Sequence, residues 1–190
     1  QIENIPIVGH TFYRSNLTKN IDGIYVCSDS NKILTWCKKN NIPCIKTKSK
    51  HINGTERIAE AVTKLNLSME DIIIDVQGDE PLIDPELIRL LAIELQKKDI
   101  DYVTACSNFE NFDDYVNPNN VKVIFNEKGT AIKFYREALI SNKKYWNSQQ
   151  YFYHIGLYGY KKKLLDDFCK LPNSTLEKKL KLEQLRAIEN

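Results

Sequence analysis

Apolar, β-rich runs alternate with segments of helical period through the first half of the chain. This is the pattern of βαβ units in a mainly parallel sheet covered by helices on both faces. Residues 23–28 (GIYVCS) and the run IPCIK read as strands. Between them lies SDSNKILTWCKKNN, where Ser28, Asp29 or Ser30 can cap a helix carrying Ile33, Leu34 and Cys37 on one side. Residues 54–66 place Ile58, Ala59, Val62 and Leu65 at helical spacing, with Asn53 or Thr55 as the cap. DIIIDV at 71–76 is the clearest buried strand and runs straight into the loop QGDEP. PELIRLLAIELQKK then predicts an amphipathic helix opened by Asp84 and Pro85, and DYVTACS a further strand.

The second half changes character. VKVIFN and TAIKFY flank Glu127-Lys128-Gly129 as an antiparallel hairpin, and residues 151–160 (YFYHIGLYGY) form a long aromatic strand. The end of the chain, from Leu164, predicts two helices separated by LPNST. The second carries Leu176, Leu180, Leu185 and Ile188 towards an apolar surface. These readings give an α/β fold, a doubly wound core with an antiparallel extension, in one domain over 1–190.

A length of 190 residues suits one such core rather than two. Lys and Arg total 27 against 25 for Asp and Glu, so the net charge of +2 supplies no basic field and argues against a nucleic-acid partner. The chain has no apolar run of bilayer length, and its first residues lack the pattern of a signal peptide; a soluble, cytoplasmic protein without membrane association is expected. The five cysteines include no C-x-x-C pair and the three histidines are scattered, which points to buried thiols rather than zinc.

In an open parallel sheet, ligands bind beyond the carboxyl ends of strands, and QGDEP stands at such an end. Gly78 lets backbone approach a ligand, Asp79 offers a hard carboxylate suited to Mg²⁺, and Pro81 stiffens the exit from the loop. Upstream, HINGTER at 51–57 joins a histidine, a flexible Asn-Gly, a hydroxyl and an arginine. The chain contains no G-x-x-x-x-G-K-S/T and no strand followed by G-x-G-x-x-G, so neither a P-loop ATPase nor a dinucleotide dehydrogenase is supported.

Taken in order, HINGTERIAEA, DVQGDEPLIDPELI, NPNNVKVIFNEKGTAIKFYRE, YHIGLYGY and LEQLR resemble the 3-deoxy-manno-octulosonate (Kdo) cytidylyltransferases, over nearly the whole chain. The resemblance implies a three-layer α/β/α, GT-A-like fold, usually as a homodimer. It implies transfer of CMP from CTP to the acidic sugar Kdo with release of pyrophosphate, giving the CMP-sugar used in lipopolysaccharide synthesis. Asp79 matches the family's metal-binding aspartate, with Mg²⁺ as cofactor, and Gln77 the neighbouring sugar contact. His51, Gly54, Thr55, Arg57 and Gly78 fall in the nucleotide-binding blocks, Thr55 and Arg57 being the best matches for base or ribose contacts. Arg136 is the match for a sugar-carboxylate ligand, although K-F-Y-R stands where the family shows Y-F-S-R. His154 and Tyr158 share a strand face as sugar-pocket residues, and an aromatic sheet face with a satisfied imidazole is the alternative. Glu183 and Gln184 match sugar-hydroxyl ligands.

The family's triphosphate loop, R-x-x-S-x-R with a lysine, and its V-D-T-P-E-D block with a second metal aspartate have no counterpart within 1–190. Asn4-Ile5-Pro6 stands where the family has G-K-P. The expectation is a domain incomplete at both ends, inactive by itself. The alternatives are a non-catalytic nucleotide- or sugar-binding homologue, or an enzyme for a related acidic sugar such as 8-amino Kdo. Because a first strand is central to a doubly wound sheet, these 190 residues alone are expected to be poorly stable. In a thermal melt they should show no cooperative transition in the ordinary mesophile range of about 45–65 °C, and a sharp transition there would contradict the expectation.

Overall fold

Residues 2–190 are described in a computed structural model. The helices and strands are α1 (Ile7–Ser15), β1 (Val26–Ser28), α2 (Asn31–Lys39), β2 (Cys44–Lys46), α3 (Gly54–Thr63), β3 (Ile72–Val76), α4 (Pro85–Leu95) and β4 (Tyr102–Asn108), followed by α5 (Phe112–Val116), β5 (Lys122–Phe125), β6 (Ala131–Tyr135), β7 (Phe152–Lys161), α6 (Lys162–Phe168), α7 (Thr175–Leu180) and α8 (Leu185–Glu189). They divide into two compact units: the first runs to Val103 and takes up Gly156–Cys169, and the second holds Thr104–Ile155 and Lys170–Asn190.

In the first unit the alternation read from the sequence is realised. Asn53 caps α3, its side-chain oxygen accepting from the Glu56 N–H, and Asp84 caps α4 in the same way through Glu86, with Pro85 opening the helix. β1 and β2 pair in parallel, Val26 opposite Cys44. β3 pairs with β7 in antiparallel register from Ile72 opposite Lys161 to Val76 opposite Leu157. The fold is α/β as expected, with antiparallel pairing taking a larger share than the alternation alone suggested, because β7 returns alongside β3. Val62, Ile73, Tyr158, Tyr160 and Leu165 form one core, with the Tyr102 ring stacked on Tyr160 at 4.9 Å. Val8, Phe12 and Trp36 pack around a second core of Val26, Cys37 and Ile42. α1 itself is not predicted from the sequence: its buried residues are Gly9, Thr11 and Ser15, small or hydroxylated, so no large apolar residue marks its buried face.

The second unit is built on the expected hairpin. β5 and β6 pair antiparallel, and the turn closes on Asn126, whose side-chain oxygen accepts from the N–H groups of Lys128 and Thr130 while Gly129 takes a φ of +80°. β5 also pairs with the start of β7, Lys122 opposite Tyr153. Val123, Phe134, Leu182 and Leu185 form the core. The expected continuous terminal helix is instead two short ones. Ser174 and Glu177 form a capping box at α7, and Lys181 then adopts a left-handed φ of 54° that ends it. This break redirects the chain, so Leu182 and Leu185 are buried while Leu176 and Ile188 remain exposed. A buried ion pair ties the two helices: the Arg186 Nε donates to Glu177 Oε2 at 2.9 Å.

Among the described residues, no helix is long and apolar enough to cross a membrane.

His154 lies in the second unit, 4% exposed, edge-on to Phe134 at 4.8 Å and with Nε2 2.7 Å from the Thr104 hydroxyl. Burial lowers its pKa from 6.5 to about 4, so the fold holds a neutral ring. The stability this neutral ring contributes is complete above about pH 6.5 and is lost as pH falls through the folded value. Urea unfolding from pH 7 to 4 should show the native chain losing up to about 3 kcal/mol more than the His154→Gln variant. Parallel pH profiles would contradict this.

Candidate functional site

The chemistry gathers in the first unit where β3 ends. Beyond Val76 the chain turns tightly, the Glu80 N–H donating to the Gln77 carbonyl at 3.1 Å and the Ile83 N–H to the Glu80 carbonyl at 3.2 Å. Three side chains from α1 and the residues just after it hold this loop by its carbonyls. The Thr11 hydroxyl donates to Gly78 O at 3.0 Å, Arg14 Nε to Ile83 O at 3.0 Å, and the Thr18 hydroxyl to Pro85 O at 3.3 Å. Each contributes about 1 kcal/mol, and together they fix the loop over its whole length. Thr11, Arg14 and Thr18 carry no sequence signal of this role, since their partners lie 67 to 69 residues further along the chain.

Within the loop Asp79 is exposed, its carboxylate open to solvent. Glu80 beside it is half-buried. Burial and then the neighbouring charge of Asp79 push its carboxyl above the usual carboxylate range. Among the described residues no three His, Cys, Asp or Glu side chains converge on one point. A cation held by Asp79 would therefore complete its shell with water and ligand oxygens. That is the habit of Mg²⁺, which takes one or two carboxylates and substrate phosphates, so the donor set fits.

The start of α3 faces the same loop. A Cβ built on Gly54 would lie 2.9 Å from Gln77 Nε2 and 3.4 Å from Asp75 Oδ2, so a larger residue there would push the Gln77 amide aside. Gly78, by contrast, has room for a Cβ in ordinary contact with Val8. Asn53 uses its oxygen as the cap and leaves a buried Nδ2 with no partner among the described residues. Arg57 Nη1 joins the carboxyl ends of two strands, at 3.0 Å from Asp29 Oδ1 after β1 and 2.6 Å from Thr47 Oγ1 after β2. His51 bonds Glu60, and that contact, with the Lys48 N–H and the Lys64 ammonium, lowers the Glu60 carboxyl to about 2. Thr55 points elsewhere: it is fully buried and its hydroxyl lies 3.0 Å from the Tyr160 hydroxyl.

His51, Asn53, Gly54, Arg57, Gln77 and Gly78 line one part of a cleft of about 1130 Å³ within this unit. Its other walls mix apolar residues, Val8, Phe12, Ile58, Val62 and Ile88 among them, with polar ones such as Thr11, Asp22, Glu70 and Asp75. β1 and β3 both line it, and among the described residues β1 pairs with β2 and β3 with β7.

The remaining candidates are placed differently. Tyr158, in the first unit, is 6% exposed in the aromatic core. His154, in the second, is packed as described above. Neither side chain is open to a solvent-borne sugar, and the aromatic-face alternative with a satisfied imidazole describes them. Thr55 is likewise a core hydroxyl. In the second unit Arg136 donates to three backbone carbonyls, Leu180 at 2.9 Å, Pro118 at 3.2 Å and Lys181 at 3.3 Å, which leaves it an organiser of the loop before Glu183. Glu183 is half-buried and Gln184 buried.

A sequence profile described as cytidylyltransferase matches residues 1–190. A 3-deoxy-manno-octulosonate cytidylyltransferase from Thermodesulfovibrio yellowstonii is 42% identical over 200 aligned positions, covering 100% of this chain and 78% of the relative. One from Francisella tularensis subsp. holarctica is 38% identical, covering 97% of this chain and 76% of its own. A solved structure of CMP:2-keto-3-deoxy-manno-octonic acid synthetase complexed with CTP has a TM-score of 0.87 and 26% identity, covering 100% of this chain and 77% of that one. With the whole chain matched by the profile, and with a carboxylate loop and a glycine-opened helix terminus meeting at the carboxyl end of β3, the chain belongs to the cytidylyltransferase family.

Proposed function

We propose that the chain carries the nucleotide site of an enzyme that transfers CMP from CTP to 3-deoxy-manno-octulosonate or a close acidic sugar, releasing pyrophosphate. The observation that carries this reading is the 42% identity to a cytidylyltransferase of that specificity over the whole chain. In the reaction the anomeric hydroxyl oxygen of the sugar attacks the α-phosphorus in line. The bond from that phosphorus to the bridging oxygen breaks, the electron pair leaves with pyrophosphate, and the hydroxyl proton is released to solvent. Such chemistry rests on positioning and on neutralising phosphate charge, which needs donors and a cation rather than a covalent nucleophile.

The residues of the first unit suit these tasks. Asp79, exposed at the loop, would hold Mg²⁺, which when bound neutralises the phosphates and polarises the α-phosphoryl group. The terminus of α3 presents backbone N–H groups with the positive end of the helix dipole, and Asn53 Nδ2 adds a further donor. Gln77 offers an amide for a sugar hydroxyl. The same reading makes the protein a cytoplasmic homodimer; Ile124, Ile132 and Leu139, exposed in the second unit, are apolar surface of the kind a second copy covers.

In the native polypeptide that contains these residues, Asp79→Asn should lower pyrophosphate release from CTP, Mg²⁺ and Kdo by about a hundredfold or more, the size of losing a few kcal/mol of charge stabilisation. Unchanged turnover would remove the metal role from Asp79.

A further inference from the structure

Asp75 is a buried carboxylate that the reaction scheme leaves without a task. It lies on β3, 3% exposed, and its side chain lines the cleft with Gln77. A carboxylate facing a cleft is costly to bury unless it meets donors. Here Gln77 Nε2 donates to Asp75 Oδ2 at 3.2 Å. The two residues stand two apart along the chain at the end of the strand, so the period of two brings both side chains to one face. Gly54 completes the arrangement, because a Cβ there would collide with the Gln77 amide at 2.9 Å.

A glutamine amide can rotate by half a turn with little change in shape, exchanging a double donor for an acceptor. In the structure the NH₂ group points to Asp75 Oδ2, which accepts from it, and the Gln77 carbonyl oxygen is left to act towards a ligand. We propose that Asp75 is a positioning residue which sets Gln77 as a hydrogen-bond acceptor, so that this part of the cleft reads a hydroxyl donor of the sugar. The inference rests on the proposed function for the identity of the ligand, and on the Asp75–Gln77 geometry for the orientation of the amide.

Four variants of the native polypeptide test it: Gln77→Ala, Asp75→Ala, Asp75→Asn and the Asp75→Ala/Gln77→Ala double variant. The sugar KM should rise about five- to tenfold in each alanine variant, the size of one lost hydrogen bond, with kcat and the CTP KM within about twofold. The double variant should be no worse than Gln77→Ala. Asp75→Asn keeps an acceptor oxygen and should return the sugar KM to within about twofold of the native value. A sugar KM that is unchanged in Asp75→Ala while raised in Gln77→Ala overturns the positioning role and leaves the proposed function standing. Multiplicative effects in the double variant also overturn it, since Asp75 would then act by another route. An NMR measurement decides the geometry without turnover. The Gln77 side-chain NH₂ resonances should be shifted and protected from exchange in the native protein, and should lose both properties in Asp75→Ala. If they match those of a solvent-exposed amide in both proteins the inference fails, whether or not Kdo is the substrate.

Discussion

The geometry of the site depends on how the loop after β3 is held. A strand end and a helix start leave a run of carbonyls and N–H groups with no ladder to join, and a loop of this kind is mobile unless other groups bind it. Here Thr11, Arg14 and Thr18 bind Gly78, Ile83 and Pro85 by their carbonyls, while Asp84 caps the outgoing helix. Asp79 can therefore stand exposed at a fixed place without contributing to the packing beneath it. The loop is stabilised from α1, and the residue available for chemistry is left free of structural duty.

A second layer of polar contacts fixes the opposing wall. Arg57 is anchored by Asp29 and Thr47, His51 by Glu60, and Asn53 by its capping bond. These contacts hold the start of α3 against the carboxyl ends of β1, β2 and β3, where Gly54 allows a side-chain amide within 2.9 Å of a hypothetical Cβ. The result is preorganisation: the charges and donors occupy their positions before a nucleotide arrives, so less ordering remains to oppose binding.

Much of this was legible in the sequence because the signals were local. The apolar run before QGDEP, the Asp84-Pro85 helix start and the Asn53 cap depend on neighbouring residues alone, and each forms as read. What escaped depends on distant partners. α1 has a polar, small-residue buried face whose value appears only when the loop 67 residues away is placed against Thr11. Thr55 looked like a ligand contact from its block and is a core hydroxyl because its side of the helix turns towards Tyr160. His154 and Tyr158 share a strand period, but period does not say whether a face meets solvent or core, and both meet core. Of the terminal residues read onto one apolar face, Leu180 and Leu185 pack on the core, while Leu176 and Ile188 are exposed, because a left-handed Lys181, which no propensity foretells, breaks the helix.

The central claim is that this fold activates an acidic sugar with CTP. Its most direct measurement is product analysis of the native polypeptide containing these residues, supplied with Mg²⁺, Kdo and each of the four nucleoside triphosphates in turn. The account predicts pyrophosphate and CMP-sugar in equal amounts with CTP, and little product with the others. Folded protein that forms no CMP-sugar, or that works equally well with every triphosphate, would contradict it.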